Sequence, residues 1–372
     1  MWARAGGAVG RAVSLSLLRS ATRSEVRPLP CQPVRQMSAR VWCLATRPDG
    51  PAKASDFQLK EEPLPEPKEG DVLLEAEFLS VDPYMRAFAS QLPLGEPMPG
   101  AQVAKVVSSR CPTLAEGRRV LVAAGWRERS VVSPETGRPG GAPVVPLPAA
   151  APVSYSHYLG VVGMTGLTAY CAVHDLLQPQ PGQTLVVNAA AGAVGSVVGQ
   201  IGRILGARVI GYAGSDDKVA WLKDTLKFDE AFNYKTQDLA ETLRAAAPDG
   251  VNCYFDAVGG KFSATVVQQM ADKGRIACIG ASSGYNDKTA ATSGPFPELA
   301  IIMKQLTITG FQYFSQDLAS EKFQAARAQL AQWVAEGKLE AKQTFTDGFQ
   351  NMPQALLDMM AGKNTGKMVV RA

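Results

Sequence analysis

The strongest constraint on the fold is a buried strand that runs into a glycine turn and then into an apolar helix. Residues 185–195 read LVVNAAAGAVG, and the apolar pattern predicts a helix over Val194–Leu205. Gly192 would let the backbone approach a pyrophosphate, and Gly195 would let the helix pack closely on the strand. Ala190 replaces the first glycine of the usual motif, and small residues also serve plain helix packing. The order of strand, turn and helix nevertheless favours a dinucleotide-binding site.

Strand-like and helix-like segments alternate around this turn. Strands are predicted at Thr184–Asn188, Arg208–Tyr212, Ala231–Asn233, Cys253–Asp256, Arg275–Gly280 and Leu306–Phe311. A helix is predicted at Lys218–Leu226, between the second and the third of them. Alternation of this kind is typical of a parallel sheet with crossover helices. The sequence therefore predicts an α/β fold whose cofactor domain is a doubly wound parallel sheet of about six strands.

The chain outside this sheet has a different pattern. Short β-type runs separated by proline and glycine fill Met37–Ala124 and predict a mostly β domain. Ser133–Pro152 is rich in proline and glycine, so we expect a connection without regular structure there. Helices predicted at Ser320–Glu336 and Met352–Met360, around a short strand, fit a chain that returns to its first domain. The predicted limits are 37–157 for a catalytic domain, 158–315 for the cofactor domain and 316–372 for the C-terminal return.

Composition narrows the function classes. A chain of 372 residues, 46% of them hydrophobic and 19% charged, is long enough for two domains with proper cores. The net charge is only +4 and the basic residues form no stripe, so a nucleic-acid partner is not predicted. No apolar stretch reaches the length needed to cross a bilayer. The six cysteines are scattered without a CxxC pair, and the two histidines, His157 and His174, are interpreted as packing or capping residues, so no metal site is predicted.

Residues 1–36 differ in composition from the rest of the chain. They hold one acid, Glu25, against six arginines: Arg4, Arg11, Arg19, Arg23, Arg27 and Arg35. This composition is typical of a mitochondrial transit peptide. The alternative is an extended start with translation from Met37, where a strand-like opening begins. We favour the alternative, which predicts a cytoplasmic protein, with mitochondrial import as the other interpretation.

The end of the second predicted strand indicates which dinucleotide is bound. An enzyme that uses NAD places an acid there for the ribose hydroxyl, but this strand ends in Ala213-Gly214-Ser215. The missing carboxylate leaves room for a phosphate, and Lys218 lies one helical turn further on as a positive charge. The sequence therefore favours NADPH over NADH. Asp216 and Asp217 weaken this argument, because they fit an alternative in which Lys218 is a solvated lysine of a capped helix.

Two tyrosines are candidates for acid chemistry. Tyr285 follows a predicted strand and a turn of small residues, where a doubly wound sheet presents its ligand crevice. A phenol is protonated at neutral pH and could donate to a developing enolate. Tyr84 lies in the β domain that would face the cofactor. Either side chain could instead serve packing alone.

With these residues assembled, the sequence from Met37 to Ala372 resembles the zinc-independent alkenal/one oxidoreductases of the medium-chain dehydrogenase/reductase superfamily. The segments that carry the resemblance are VDPYMR (81–86), GLTAY (166–170), NAAAGAVGSVVGQ (188–200), GSDDK (214–218), FNYK (232–235), YFDAVGG (254–260) and GKNTGK (362–367). The resemblance implies a GroES-like catalytic domain beside a Rossmann domain. It also implies NADPH-dependent reduction of the carbon-carbon double bond of enals and enones, including 15-oxo-prostaglandins, and oxidation of the 12-hydroxyl of leukotriene B4.

The same resemblance implies the residues of the site. The implied cofactor contacts are Gly192, Ala193, Val194, Gly195, Lys218 at the 2'-phosphate, Tyr234, Ala257, Ile279, Gly280, Ala281, Ser282, Ser283, Gly284, Tyr285, Phe311, Gln312, Tyr313 and Asn364. Tyr285 matches the tyrosine proposed as proton donor in related plant reductases. Tyr285 and Tyr84 are therefore the predicted catalytic residues.

Departures from the family pattern leave alternatives open. Ala257 replaces a common asparagine, Thr165 replaces a common proline, and no substrate-contacting tyrosine is found around Ile302 and Met303. A quinone reductase would use the same fold and the same hydride donor, and an NADPH-binding protein with little turnover, like the lens crystallins of the superfamily, is a second alternative. We also expect a homodimer that pairs through the sheet edge at Leu306–Tyr313.

Overall fold

The computed structural model describes residues 37–137, 142–287 and 297–372. The first 36 residues, for which a transit peptide or an extended start was predicted, lie outside the described residues.

The N-terminal part of the described chain is mostly β. Its strands are β1 (Ser38–Leu44), β2 (Phe57–Pro63), β3 (Val72–Ser80), β4 (Gln102–Ser109), β5 (Arg119–Val122), β6 (Arg129–Val132) and β7 (Val145–Pro146). Its described residues also form a 3-10 turn at Ala54–Asp56 and one short α-helix, α1 (Tyr84–Phe88). β1 and β2 form an antiparallel pair. β3, β4, β5 and β7 are neighbours in a larger sheet, and β6 also pairs with β3.

One expectation for this region is wrong in detail. The proline- and glycine-rich connection was predicted to hold no regular structure, but Val145 and Pro146 pair antiparallel with β5. Proline is tolerated there because β7 is the edge strand of its sheet, where a missing N–H breaks no ladder on its outer side.

The middle of the chain forms the parallel sheet. Its strands are β8 (Thr184–Val187), β9 (Arg208–Ala213), β10 (Glu230–Asn233), β11 (Val251–Asp256), β12 (Met270–Cys278) and β13 (Thr307–Gly310). The helices around it are α2 (Met164–Cys171), α3 (Gly195–Ile204), α4 (Asp216–Ala220), α5 (Leu239–Ala246), α6 (Gly260–Gln268) and α7 (Glu298–Lys304). The strand order is β10-β9-β8-β11-β12-β13, and every neighbouring pair is parallel. The predicted doubly wound sheet of six strands is confirmed for the described residues.

The last part of the chain returns to the first sheet. It comprises α8 (Glu321–Ala335), β14 (Gln343–Asp347), α9 (Met352–Met360) and β15 (Lys367–Arg371). β14 pairs parallel with β15, and β15 pairs antiparallel with β3. The sequence pattern predicted both helices and one strand here, but β15 was not predicted. The domain limits given above remain predictions.

The parallel sheet is packed on both faces. All four residues of β8 are buried, as expected for a central strand covered by helices on both sides. Phe228 fills the space between α3 and β9, because a Cβ at Gly199 would lie 2.0 Å from its ring and one at Gly211 would lie 2.7 Å from it. These two glycines therefore set how closely the helix that follows the glycine turn lies on the sheet. In the part of the chain that is described, no helix combines the length and apolar character needed to cross a membrane.

The close approach at Gly199 makes a testable prediction. Gly199→Ala should destabilise the protein by about 1–3 kcal/mol, because the new methyl group overlaps the Phe228 ring. Gly310→Ala is the matched control, since a Cβ there would lie 4.0 Å from the Cys278 carbonyl oxygen, and it should change stability by less than about 0.5 kcal/mol. Urea unfolding measures both, and equal stability of the two variants would contradict the packing argument.

Candidate active site

The predicted cofactor residues of the cofactor domain gather at one edge of the parallel sheet. The carboxyl ends of its strands carry Gly192–Gly195 after β8, Lys218 after β9, Tyr234 after β10, Ala257 after β11, Ile279–Tyr285 after β12 and Phe311–Tyr313 after β13. Parallel strands place their carboxyl ends along the same edge, and the strand order reverses beside β8. Segments that are distant in sequence thus line one crevice.

The turn between β8 and α3 requires its glycines. The Gly192 amide donates to the Ala189 carbonyl at 2.9 Å. A Cβ at Gly195 would lie 2.5 Å from that carbonyl oxygen, and one at Gly192 would lie 3.1 Å from it. The turn therefore brings bare backbone, followed by the first amides of the ten-residue helix α3, to the crevice. An anion such as a pyrophosphate fits this environment.

The C-terminal loop lies against the same turn. The Gly366 amide donates to the Ala191 carbonyl at 2.8 Å, and Gly366 forms a parallel bridge with Gly192. Asn364 is held beside this contact, since its side-chain amide donates to the Gly366 carbonyl at 2.8 Å. The structure thus places Asn364 at the glycine turn, from which it is far away in sequence.

Two lysines, Lys218 and Lys235, lie near the end of β9. The Lys218 Nζ donates to the Gly362 carbonyl at 2.7 Å. Burial lowers the pKa of Lys218, and the nearby positive charge of Lys235 lowers it further. A Cβ at Gly214 would lie 3.1 Å from the Tyr234 hydroxyl and 3.2 Å from Lys235 Cε, so this pair lines the turn. A bound phosphate would relieve the repulsion between the two ammonium groups.

One of the two aspartates that weakened the sequence argument, Asp216, has a side-chain partner on another element. Asp216 accepts a hydrogen bond from the Asn233 side-chain amide at 2.7 Å, which joins α4 to the end of β10. Lys235 was missed as a site residue, although it follows Tyr234 directly in the FNYK segment. Its position at a strand end was the signal that could have revealed it.

A buried network fixes the loop after β11. The Asn188 side-chain amide donates to the Tyr254 hydroxyl at 2.6 Å and to the Asp256 carboxylate at 2.8 Å. The Asn188 side-chain oxygen accepts the Ala257 amide at 2.8 Å. The backbone at Ala257 is therefore held in place even though its side chain offers no polar group. The pKa of Tyr254 is raised well above its usual value by burial and by the Asp256 charge, so the phenol stays protonated.

Tyr285 lies beyond the end of β12. The backbone makes a short turn at Ser282–Gly284 and leaves the Tyr285 side chain half-buried. A Cβ at Gly280 would lie 3.0 Å from the Ala257 carbonyl oxygen and 3.4 Å from the Tyr285 hydroxyl, so the phenol is a direct neighbour of this backbone. The hydroxyl also accepts a long hydrogen bond from the Ala281 amide at 3.5 Å. This places a phenol beside the backbone at the crevice.

Tyr84 lies on the catalytic-domain side of the same region. It starts α1, and its ring packs edge-on against Phe314, from the loop after β13, at 5.4 Å between centroids. Burial and the charge of Asp82 raise the pKa of Tyr84, so it stays protonated. The Arg86 Nε donates to the Asn286 side-chain oxygen at 3.2 Å, directly after Tyr285 in the chain. Helix α1, which carries Tyr84, and the loop that carries Tyr285 are therefore joined by a hydrogen bond between the two domains.

The two histidines differ in position: His157 lines a small cavity together with Ala193 and Ser196 at the start of α3, whereas His174 packs on an aromatic ring. His174 stacks on Tyr170 at 4.2 Å between ring centroids, and burial lowers the pKa of both His157 and His174. Among residues 37–137, 142–287 and 297–372, no group of three or more His, Cys, Asp and Glu side chains is arranged to hold a metal ion.

Comparison with known proteins agrees with this geometry. Residues 40–138 match a family model described as the N-terminal domain of oxidoreductase, and residues 193–332 match one described as zinc-binding dehydrogenase. The chain is 46% identical to prostaglandin reductase 1 of Rattus norvegicus over 90% of its own length and 100% of the relative's. The chain belongs to the prostaglandin reductase family of the medium-chain dehydrogenases/reductases.

Two other proteins are similar to this chain over most of its length. The 2-alkenal reductase (NADP(+)-dependent) of Nicotiana tabacum is 36% identical over 86% of this chain and 94% of its own length. The crystal structure of CurA in complex with NADPH from Vibrio vulnificus superposes with a TM-score of 0.83 at 36% identity, covering 90% of this chain and 99% of that one. The predicted combination of a GroES-like domain and a Rossmann domain is confirmed.

The lysine pair at the end of β9 allows a prediction about coenzyme binding. Lys218→Ala should weaken NADPH binding by about 10- to 100-fold, the usual cost of losing a hydrogen bond to a charged group, and should change NADH binding little. Lys223→Ala is the control, because Lys223 follows on the same helical stretch but pairs with Glu230. Fluorescence titration measures both dinucleotides, and equal losses of NADPH and NADH affinity would contradict the 2'-phosphate assignment.

Proposed function

We propose that this protein is an NADPH-dependent reductase of the α,β carbon-carbon double bond of enals and enones. The observation that carries the proposal is the placement of Tyr285, a half-buried phenol beyond the end of β12, at the sheet edge that also carries the glycine turn and Lys218. A dinucleotide site with a neutral proton donor beside it supports hydride transfer to an electron-poor double bond followed by protonation.

The residues of the chain have distinct roles in this reaction. When bound, NADPH would supply a hydride to the β-carbon, which would leave an enolate with its double bond between the α-carbon and the carbonyl carbon and negative charge on the carbonyl oxygen. The Tyr285 hydroxyl donates a hydrogen bond to that oxygen and stabilises the enolate. A proton then adds to the α-carbon and restores the carbonyl group; we assign Tyr285 as its source, and the phenolate that remains regains a proton from solvent. Lys218 and Lys235 hold the 2'-phosphate.

An aromatic cluster formed by Tyr84, Phe88 and Phe314 favours binding of an apolar substrate. Tyr84 packs against Phe88 at 5.3 Å and against Phe314 at 5.4 Å between ring centroids. The two phenylalanines are 43% and 54% exposed, which is high for side chains of this type, and they come from different domains. Binding of an alkyl or aryl substituent would cover them. This favours lipid enals and enones, with 15-oxo-prostaglandins among them, and oxidation of the leukotriene B4 12-hydroxyl as a further activity of the same site.

Tyr285→Phe tests the assigned role. Turnover of an enone should fall by about 100-fold or more, because the enolate loses its donor, while NADPH affinity changes little. Tyr155→Phe is the matched control, since its hydroxyl donates only to the Pro148 and Ala149 carbonyls of an exposed segment and its turnover should match that of wild type.

Wild-type protein starting at Met37 is assayed for NADPH oxidation with an alkenal, a 15-oxo-prostaglandin and a quinone, with NADH as the control donor. Turnover of the first two is expected. Turnover of the quinone alone would replace the proposal with a quinone reductase, and tight NADPH binding without any turnover would replace it with a non-catalytic binding protein. An equal loss of turnover and NADPH affinity in Tyr285→Phe would assign that residue to binding.

We further propose that the protein forms a homodimer through β13. This strand ends the parallel sheet, and Ile308 on it is exposed. The neighbouring helix α7 adds apolar side chains at Leu299, Ile302 and Met303, of which Leu299 is 72% exposed. Among the described residues β13 pairs only with β12, and a strand edge of this kind beside an apolar surface favours pairing with a second copy.

Ile308→Lys tests the dimer. The charge should oppose pairing of two β13 edges, so sedimentation velocity should show a dimer for wild type and a monomer for the variant. Leu94→Lys changes an exposed apolar residue of the catalytic domain and should leave the dimer intact. A wild-type monomer, or a dimer that survives Ile308→Lys unchanged, would contradict the proposed interface.

A further inference from the structure

A buried ion pair connects the end of the chain to the catalytic domain. The Lys367 Nζ lies 3.1 Å from an Asp82 carboxylate oxygen, and both side chains are only 4% exposed. The same Nζ donates to the Val81 carbonyl at 2.6 Å and to the Met368 carbonyl at 2.9 Å. Burial lowers the pKa of Lys367, while the Asp82 charge acts in the opposite direction. The ammonium group therefore has three oxygen partners in a dry environment.

On the Lys367 side, the ion pair is connected to the glycine turn. Lys367 directly follows Gly366, whose amide bonds to the Ala191 carbonyl and whose backbone bridges Gly192. Gly366 has a φ of +68°, and a Cβ on it would lie 2.0 Å from the Lys342 carbonyl oxygen, so this backbone has little freedom. Lys367 also lines a small cavity together with Ala193 and Ser196 at the start of α3.

On the Asp82 side, the ion pair is connected to Tyr84. Asp82 lies two residues before Tyr84, at the start of α1, and it also accepts a hydrogen bond from the Ser80 hydroxyl. The Asp82 backbone amide donates to the Met85 sulfur at 3.5 Å, and the Asp82 carbonyl accepts the Met85 amide at 3.1 Å, so Asp82 is bonded to α1 although it precedes that helix. Fixing the Asp82 carboxylate therefore fixes the first turn of α1. Arg86, in that helix, holds Asn286 next to Tyr285.

We propose that Lys367 and Asp82 are positioning residues that set the placement of α1 and its tyrosine relative to the dinucleotide turn. This inference rests on the proposed function for its effect on turnover. A buried ion pair contributes little net stability compared with apolar side chains of similar volume, because both charges are removed from water. It does specify one geometry, since the ammonium group meets the carboxylate and two carbonyls together. A small displacement of reacting groups lowers turnover strongly.

The test uses a double variant that removes both charges together, Asp82→Leu with Lys367→Met. It should remain folded, because no unpaired charge stays in the interior. In the coenzyme-free protein, amide hydrogen exchange should become faster in residues 81–88 and in 189–196. With NADPH and an enone, kcat should fall by about 10- to 100-fold with a much smaller change in KM.

Two further variants make the result decisive. Arg127→Met removes another buried cation, whose guanidinium bonds Glu62 and the Ala124 carbonyl inside the catalytic domain, and it should leave exchange at 189–196 and kcat as in wild type. Asp82→Asn keeps the size of the side chain and a hydrogen-bond acceptor. It should give faster exchange in both segments even if the double variant does not fold.

Wild-type exchange in both segments for Asp82→Asn, or exchange and kcat in the folded double variant equal to those of Arg127→Met, would overturn the proposal. Failure of the proposed function is recognised separately, because wild-type protein would then oxidise no NADPH with any enone. The exchange measurement needs neither coenzyme nor substrate, so it would still decide whether the ion pair positions the two segments.

Discussion

The crevice depends on the return of the chain at Gly366. Its amide bonds to Ala191 of the glycine turn, and the strand that begins at the next residue, β15, pairs with β3 of the catalytic domain. One short segment thus touches the dinucleotide turn and continues into the catalytic sheet. The buried contact of Lys367 with Asp82 extends this connection to α1. The substrate side and the cofactor side of the site are therefore held by adjacent residues at the end of the chain.

The choice of coenzyme follows from the balance of charge at the end of β9. No carboxylate occupies the last residues of that strand, and Asp216, the nearest acid in the chain, is engaged by Asn233. Burial lowers the pKa of Lys218, and the positive charge of Lys235 lowers it further. An anion would stabilise such a pair, which is the basis of the proposed discrimination between two dinucleotides that differ by one phosphate. The same sheet edge carries Tyr285, so the proposed roles in coenzyme selection and proton donation share one scaffold.

Much of the fold could be predicted because it is encoded in local patterns. Alternating strands and helices gave the six parallel strands, and the glycine turn gave the position of the crevice. β15 was not predicted, because Lys367–Arg371 is short and its pairing with β3 is made over a large sequence separation. The partners of Lys218 and Asp82 were missed for the same reason, since Gly362 and Lys367 approach them only after folding. The effect of Ala257, which replaces a common asparagine, could not be predicted either, because the Asn188 side chain that holds its backbone lies far away in sequence.

The central claim is that hydride adds to the β-carbon of an enal and leaves its carbonyl group intact. The most direct test uses protein starting at Met37, an alkenal and NADPH that carries deuterium at both C4 positions of its nicotinamide ring, with the product analysed by mass spectrometry and NMR. We expect a saturated aldehyde with one deuterium on the β-carbon and none on the α-carbon, whose new proton is exchangeable with solvent through Tyr285. An unsaturated alcohol with deuterium on the former carbonyl carbon, or an unchanged alkenal, would contradict hydride addition to the β-carbon.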